Sequence, residues 1–220
     1  MAAPHDRPAL PIPHGPPSEL AHSPLARTRQ TADAIAAAVS GIGHAAAALP
    51  TRPDSGFLEI GQGVWEGLHR DEIASRYSEA LATWRRRPTE AWAPGGESLA
   101  EVAARVRPSL SALLARLASG RPPGTRDRGQ VPGYGEPPAD HPWSILVGHD
   151  GVFKVSLLTL FDLPLERFWM WTMDLCAISI VEFRGGQPVV RAFNLTGHLA
   201  PLLDEDALAV QEARSRSGAL

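Results

Sequence analysis

Three groups of residues in this chain have types and spacings that could do chemistry. Arg27 follows Ser23-Pro24 closely enough to lie in the first turn of a helix that those residues open. Serine is a favoured N-cap because its hydroxyl accepts an orphan backbone amide, and proline suits the next position, where no amide is needed. The guanidinium and the free amides of that turn then converge at the positive end of the helix dipole, which makes an anion site. A planar arginine fork suits phosphate in particular. His149 closes the apolar run Ser144-Ile-Leu-Val-Gly-His149 just before a helix, where open α/β sheets place their ligands. A histidine there can donate to an anion or move a proton. Taken singly, Arg27 reads as a surface arginine near a helix start, and His149 equally as a histidine satisfied by its own turn. Together they meet the needs of a phosphate monoester pocket.

The third group is a carboxyl in the glycine-punctuated stretch Phe57-Leu-Glu59-Ile-Gly-Gln-Gly-Val-Trp-Glu66-Gly67. A half-buried carboxyl has a raised pKa and can protonate a leaving alkoxide, whereas an exposed one merely caps loop amides. Glu59 and Glu66 compete for that role, and spacing alone does not choose between them. His5, His14, His44 and His69 stand at no metal-ligand spacing with another His, Asp or Glu, so neither a metal site nor a cofactor is expected. Arg85-Arg86-Arg87 reads as a solvated helix end, and Phe168, Trp169 and Trp171 read as packing residues.

The elements that must position these groups follow from periodicity. A helix is expected through Arg27–Val39, a second over Asp71 to about Arg86, and a third after the capping box Ser98/Glu101, with Val102, Val106, Leu110, Leu113, Leu114 and Leu117 at helical spacing. Pro108 should kink or split that third helix. Ser144–His149 reads as a buried strand and Val152–Phe161 as a helix. Cys176–Phe183, Gly185-Gly186 and Gln187–Leu195 read as a β-hairpin. Helices alternating with strands imply an α/β sandwich. No strand-length apolar run precedes Ser23, although such a sheet normally begins with one.

Composition bounds the function class. The 220 residues are 44% hydrophobic and 20% charged with a net charge of −3, which argues against a disordered chain and against a nucleic-acid-coating one. A single cysteine, Cys176, cannot form an intrachain disulfide, so a reducing, cytoplasmic setting is expected. No apolar run is long enough for a membrane span. Six of the 21 prolines lie in residues 1–20, and six more, with five glycines, lie in residues 120–142. The expected organisation is a proline-rich leader over 1–20, one domain over 21–203 interrupted by an insertion at 120–142, and a tail over 204–220.

Five motifs in order resemble the histidine phosphatase superfamily, with its phosphoglycerate-mutase-like fold. They are His22-Ser-Pro-Leu-Ala-Arg27-Thr-Arg-Gln-Thr31-Ala32; Leu58-Glu59 followed by Gly63-Val-Trp-Glu-Gly67; Pro94-Gly-Gly-Glu97-Ser98; Val147-Gly-His149-Asp-Gly-Val; and Asn194-Leu-Thr-Gly-His198-Leu199. The resemblance implies a three-layer α/β sandwich and a metal-independent phosphatase acting on a small phosphorylated substrate. It places Arg27 and His149 in the phosphate pocket and makes Glu59 the proton donor. The short loop around Glu59 is closer to the phosphatase branch than to the glycolytic mutases. Such enzymes transfer the phosphoryl group to a histidine and then hydrolyse the phosphohistidine.

The family's opening strand, which ends in Arg-His-Gly and supplies that nucleophile, has no counterpart. Pro13-His14-Gly15 lacks the arginine and lies too close to Ser23 to leave room for a helix and a strand, so His14 is read as a chance match. His22 directly precedes Ser23-Pro-Leu without a sign that it attacks. The fold is therefore expected without its first strand and helix, and turnover is expected to be weak or absent. A start placed too far downstream accounts for this most simply, ahead of a degenerate gene product. A phosphate-binding protein without turnover is the alternative class, and a mutase-type phosphotransferase a further one.

Overall fold

The computed structural model describes residues 10–13, 15–41, 48–120 and 141–202. His5, His14, His44, the tail from Asp204 and most of the 120–142 insertion lie outside the described residues. Strand β1 (Leu20–His22) is followed by helix α1 (Ala26–Gly41) and strand β2 (Thr51–Pro53). Helices α2 (Arg70–Arg76), α3 (Ser78–Arg86) and α4 (Leu99–Ser119) come next, then strand β3 (Ile145–Val147) and helix α5 (Asp150–Leu160). The antiparallel hairpin of β4 (Ile178–Arg184) and β5 (Gln187–Leu195) closes the order.

β1 is the centre of a parallel sheet ordered β2-β1-β3, with Leu20 opposite both Thr51 and Ile145. Successive side chains of a strand face opposite ways, and that alternation builds the three layers. Leu20, Ile145 and Val147 pack with Ala32, Ile35 and Val39 of α1 on one face. Ala21 and Leu146 join the larger core on the other face, with Val102 and Val106 of α4 and Val152 and Val155 of α5. The α/β sandwich expected from the alternation of elements is what forms.

Several local expectations are corrected. A strand does precede Ser23: β1 is only three residues long and fully buried, too short for a periodic signal to register in a proline-rich stretch. Glu19, just before it, is buried and ion-paired to Arg116 of α4 and Arg52 of β2. Ser23 is not adjacent to the helix, because Pro24 and Leu25 form a turn first and α1 begins at Ala26. The single second helix is two, broken at Tyr77, whose φ of −132° leaves the helical region. α4 runs through Pro108 without a break in its assignment, behind the expected Ser98/Glu101 capping box. β3 is half-exposed rather than buried, because β1 pairs with one of its edges and no described strand pairs with the other.

The stretch from Asp54 to Gly61 crosses α4 at close range. A Cβ at Gly56 would run into the Ser109 side chain and lie 2.8 Å from the Arg105 carbonyl oxygen. Only glycine allows that approach. Gly56→Ala is expected to destabilise the protein by about 1–3 kcal/mol through overpacking against a rigid helix backbone, measured as a lowered midpoint in urea.

Candidate active site

Arg27 and His149, 122 positions apart in sequence, are in hydrogen-bond contact: Arg27 Nε donates to His149 Nδ1 at 3.2 Å. The contact follows from the sheet. β1 and β3 are parallel neighbours, so the segments leaving their carboxyl ends, toward α1 and α5, emerge side by side. An arginine only donates, so Nδ1 carries the lone pair and the proton sits on Nε2. That Nε2 lies 3.0 Å from Ser23 Oγ and donates to it. Ser23 is fully buried and is held by its own amide on the Val147 carbonyl oxygen (3.0 Å). The tautomer also excludes His149 as a base toward Ser23, since its Nε2 has no lone pair to offer.

Burial first, and the Arg27 charge second, push the His149 pKa down to about 4, so the ring is neutral near pH 7. Arg27 itself is exposed, and its two terminal nitrogens have no protein partner among the described residues. The amides of Ala26 and Arg27 likewise have no protein acceptor there. The amino terminus of α1 thus offers a guanidinium fork and free backbone donors beside a neutral histidine, an arrangement that can hold a phosphoryl group.

The amino terminus of α5 is used differently. Glu59 reaches across from its loop, its Oε1 accepting from the Ile60 amide at 2.9 Å and from the Val152 amide at 3.0 Å. Oε2 accepts from the Gly151 amide at 3.3 Å. The carboxyl therefore satisfies the first amides of the helix whose N-cap is His149. A Cβ at Gly151 would lie 2.8 Å from both Glu59 Oε1 and Ile60 Cδ1, so a side chain there would displace the carboxyl from this position. Burial raises the Glu59 pKa, the three amides oppose that, and the Asp150 charge adds to it, leaving the pKa raised. Glu66 instead accepts from the amide of Gln62 in its own turn (3.1 Å) and is exposed. At α5 the Gly151 and Val152 amides are occupied by Glu59, unlike the first amides of α1.

His22 is buried, with Nδ1 donating to the Ser23 carbonyl oxygen at 2.7 Å. His69 stands at the start of α2 and His198 is exposed near the end of the described chain. The Arg85-Arg86-Arg87 run is exposed at the end of α3. Phe168 and Trp169 pack against Trp84 at 5.3 and 5.5 Å between ring centroids, and Trp171 packs on Phe193 at 5.2 Å. Among the described residues no three His, Cys, Asp or Glu side chains gather as a metal cluster, and no helix is long and apolar enough to cross a membrane. Sequence reasoning missed Ser23 as the partner of His149, and it missed Arg105, which donates to the Glu59 carbonyl oxygen at 3.2 Å. Arg105 follows the capping box on α4, but nothing in sequence separates it from the solvent-facing arginines of that helix.

This fold and site define a class. The histidine phosphatase superfamily (branch 1) matches residues 11–121 and 135–196, and the chain belongs to that superfamily. It is 25% identical over 191 residues to phosphoserine phosphatase 1 of Hydrogenobacter thermophilus, covering 86% of this chain and 75% of that protein. It is 32% identical over 161 residues to the glucosyl-3-phosphoglycerate phosphatase of Mycobacterium tuberculosis, covering 73% of this chain but only 59% of that protein. Among solved structures it is similar to a mycobacterial glucosyl-3-phosphoglycerate phosphatase complexed with VO3, at a TM-score of 0.62 and 25% identity over 82% of this chain and 78% of that one. Bacillus stearothermophilus YhfR has the same fold, at a TM-score of 0.61 and 22% identity over 83% and 76% of the two chains.

The low His149 pKa has a definite sign in stability. Between about 4 and 6.5 the unfolded chain holds the proton that the folded chain lacks, so stability from this group falls as pH drops through that window. An NMR titration of the ring is expected to show a midpoint near 4. Arg27→Met raises the midpoint by removing the nearby charge, and burial still holds it below the ordinary histidine value.

Proposed function

We propose that the chain binds phosphate monoesters at Arg27 and His149 and that Glu59 is the proton donor of their hydrolysis. The single observation that carries this reading is the contact between Arg27 Nε and His149 Nδ1, beside the unoccupied donors of Arg27 and of the first turn of α1. A phosphoryl oxygen there meets the guanidinium fork. It also brings negative charge beside His149, and protonation of that ring at Nδ1 requires the Arg27 Nε contact to break, which frees the new Nδ1–H to donate to the phosphoryl group.

Glu59 suits the other half of the reaction. As the ester's phosphorus–oxygen bond breaks and phosphorus bonds to the attacking nucleophile, water in the net hydrolysis, the carboxylic proton passes to the leaving oxygen and an alcohol departs. The carboxylate left behind gains the full strength of the Ile60, Gly151 and Val152 amides. The names of the relatives support an alkyl leaving group, since phosphoserine and glucosyl-3-phosphoglycerate are both esters of alcohols that depart poorly as alkoxides. We also propose that the reaction takes place in the cytoplasm and needs no metal ion.

The 220-residue sequence contains no Arg-His-Gly, and His149 is the sole histidine hydrogen-bonded to Arg27 among the described residues. That supports binding with little turnover for the 220-residue polypeptide. Calorimetry with phosphate or vanadate is expected to show saturable binding, weakened about 10- to 100-fold by Arg27→Ala through loss of charge-assisted bonds. Hydrolysis of an aryl phosphate well above the rate of that variant would overturn the low-turnover reading, and trapped phosphohistidine would do the same. In whatever turnover is measured, Glu59→Gln is expected to slow alkyl phosphates more than aryl phosphates, whose leaving groups need no proton. Equal slowing of both would remove Glu59 from the role of proton donor.

A further inference from the structure

All five N–H donors of Arg105 are engaged. Nε donates to Glu97 Oε1 at 2.7 Å and Nη2 to Glu97 Oε2 at 2.8 Å, a side-on fork on the carboxylate. Nη1 donates to the carbonyl oxygens of Gly56 and Leu58, both at 2.9 Å, and the second Nη2 hydrogen reaches the Glu59 carbonyl oxygen at 3.2 Å. Glu97 Oε2 in turn accepts from the Gly61 amide at 2.9 Å. The backbone on either side of Glu59 is thus held from both directions, by the guanidinium on carbonyls 56, 58 and 59 and by its counter-ion on amide 61.

The rest of the surroundings keep this clamp in place. Ser109, one turn beyond Arg105 on α4, donates to Asp54 Oδ1 at 2.8 Å, and that same oxygen accepts from the Gly56 amide at 2.8 Å. The Gly56 contact described above seats the loop on the backbone of α4. The Glu59 side chain leaves this anchored segment toward α5, where Asp150 carries the nearest like charge and Lys154 pairs with it at 2.7 Å. For Glu97, burial works to raise the pKa, but the Arg105 hydrogen bonds, the Gly61 amide and the Arg105 charge outweigh it, so the carboxylate stays charged.

We propose that Arg105, with Glu97 as its counter-ion, is a positioning residue for Glu59, fixing the backbone from which that carboxyl reaches the Gly151 and Val152 amides. The proposal rests on the proton-donor reading for its consequence in turnover, and on geometry alone for the placement itself. Lysine cannot replace Arg105, because an ammonium has three donors and no planar fork.

The test follows the Gly151 and Val152 amides by NMR in the labelled 220-residue protein. Their shifts are expected to report the Glu59 titration beside that of the neighbouring His149, and Glu59→Gln removes the first alone. Arg105→Lys, once Glu59 is no longer held in its buried place, lowers the midpoint toward the ordinary glutamate value. It also speeds exchange of those two amides about tenfold while the interior amides of α4 and α5 keep theirs. Where Arg105→Lys does not fold, Glu97→Gln is expected to produce the same change to a smaller degree. The proposal is overturned by a folded Arg105→Lys with unchanged midpoint and exchange, or by exchange that rises evenly along α4 and α5. A titration that Glu59→Gln leaves unaltered overturns it as well, and failure of both variants to fold assigns Arg105 a structural role alone. The aryl-to-alkyl comparison fails separately, so a Glu59 that is well placed but not the proton donor would be recognised.

Discussion

A helix whose amino terminus is buried must find acceptors for its first amides, and at α5 that requirement organises the candidate site. The acceptor is a carboxylate carried on another segment 92 residues away in sequence. Bringing it there requires a loop that lies flat on α4, a glycine at 56 to allow the approach, and a glycine at 151 to leave room for the carboxyl. It also requires an arginine to satisfy the loop carbonyls that would otherwise be orphaned. His149 stands at the N-cap position of the same helix, so the placements of the two candidate site residues, Glu59 and His149, have one structural origin.

The two titrating groups at this terminus are shifted in opposite directions by the same cause. Burial disfavours charge on either, so His149 is held neutral while Glu59 is pushed toward its protonated form. A neutral ring beside Arg27 avoids placing two cations in contact before an anion arrives. The carboxyl whose pKa burial raises also faces three amides able to stabilise its ionised form, so opposing influences on one proton meet at Glu59.

Long helices were legible from periodicity: α4 with its capping box, α5 after His149, and the β4–β5 hairpin at Gly185-Gly186 fall where the pattern places them. β1 was not, because three residues carry no repeat and its burial comes entirely from the strands and helices on either side. The break at Tyr77 was also hidden, since Arg70–Arg86 keeps its helical spacing across the interruption. Arg27, His149 and Glu59 were picked out because residue type and position next to a helix start or glycine loop are local properties. Ser23 as the acceptor for His149 and Arg105 as the clamp were not, because their partners are non-local and their residue types are ordinary.

An arginine in a first helical turn, a histidine at a strand end and two competing carboxyls were determined by sequence, since each depends on neighbours within a few residues. The choice between Glu59 and Glu66 was left to tertiary structure. Glu66 accepts an amide of its own turn, while Glu59 is carried over to α5, and no spacing rule distinguishes the two. The same holds for the proton on His149. Its tautomer is set by an arginine on one nitrogen and a serine on the other, both brought in by the parallel pairing of β1 with β3. Pairing of that kind joins residues more than a hundred positions apart, and a local pattern carries no record of it.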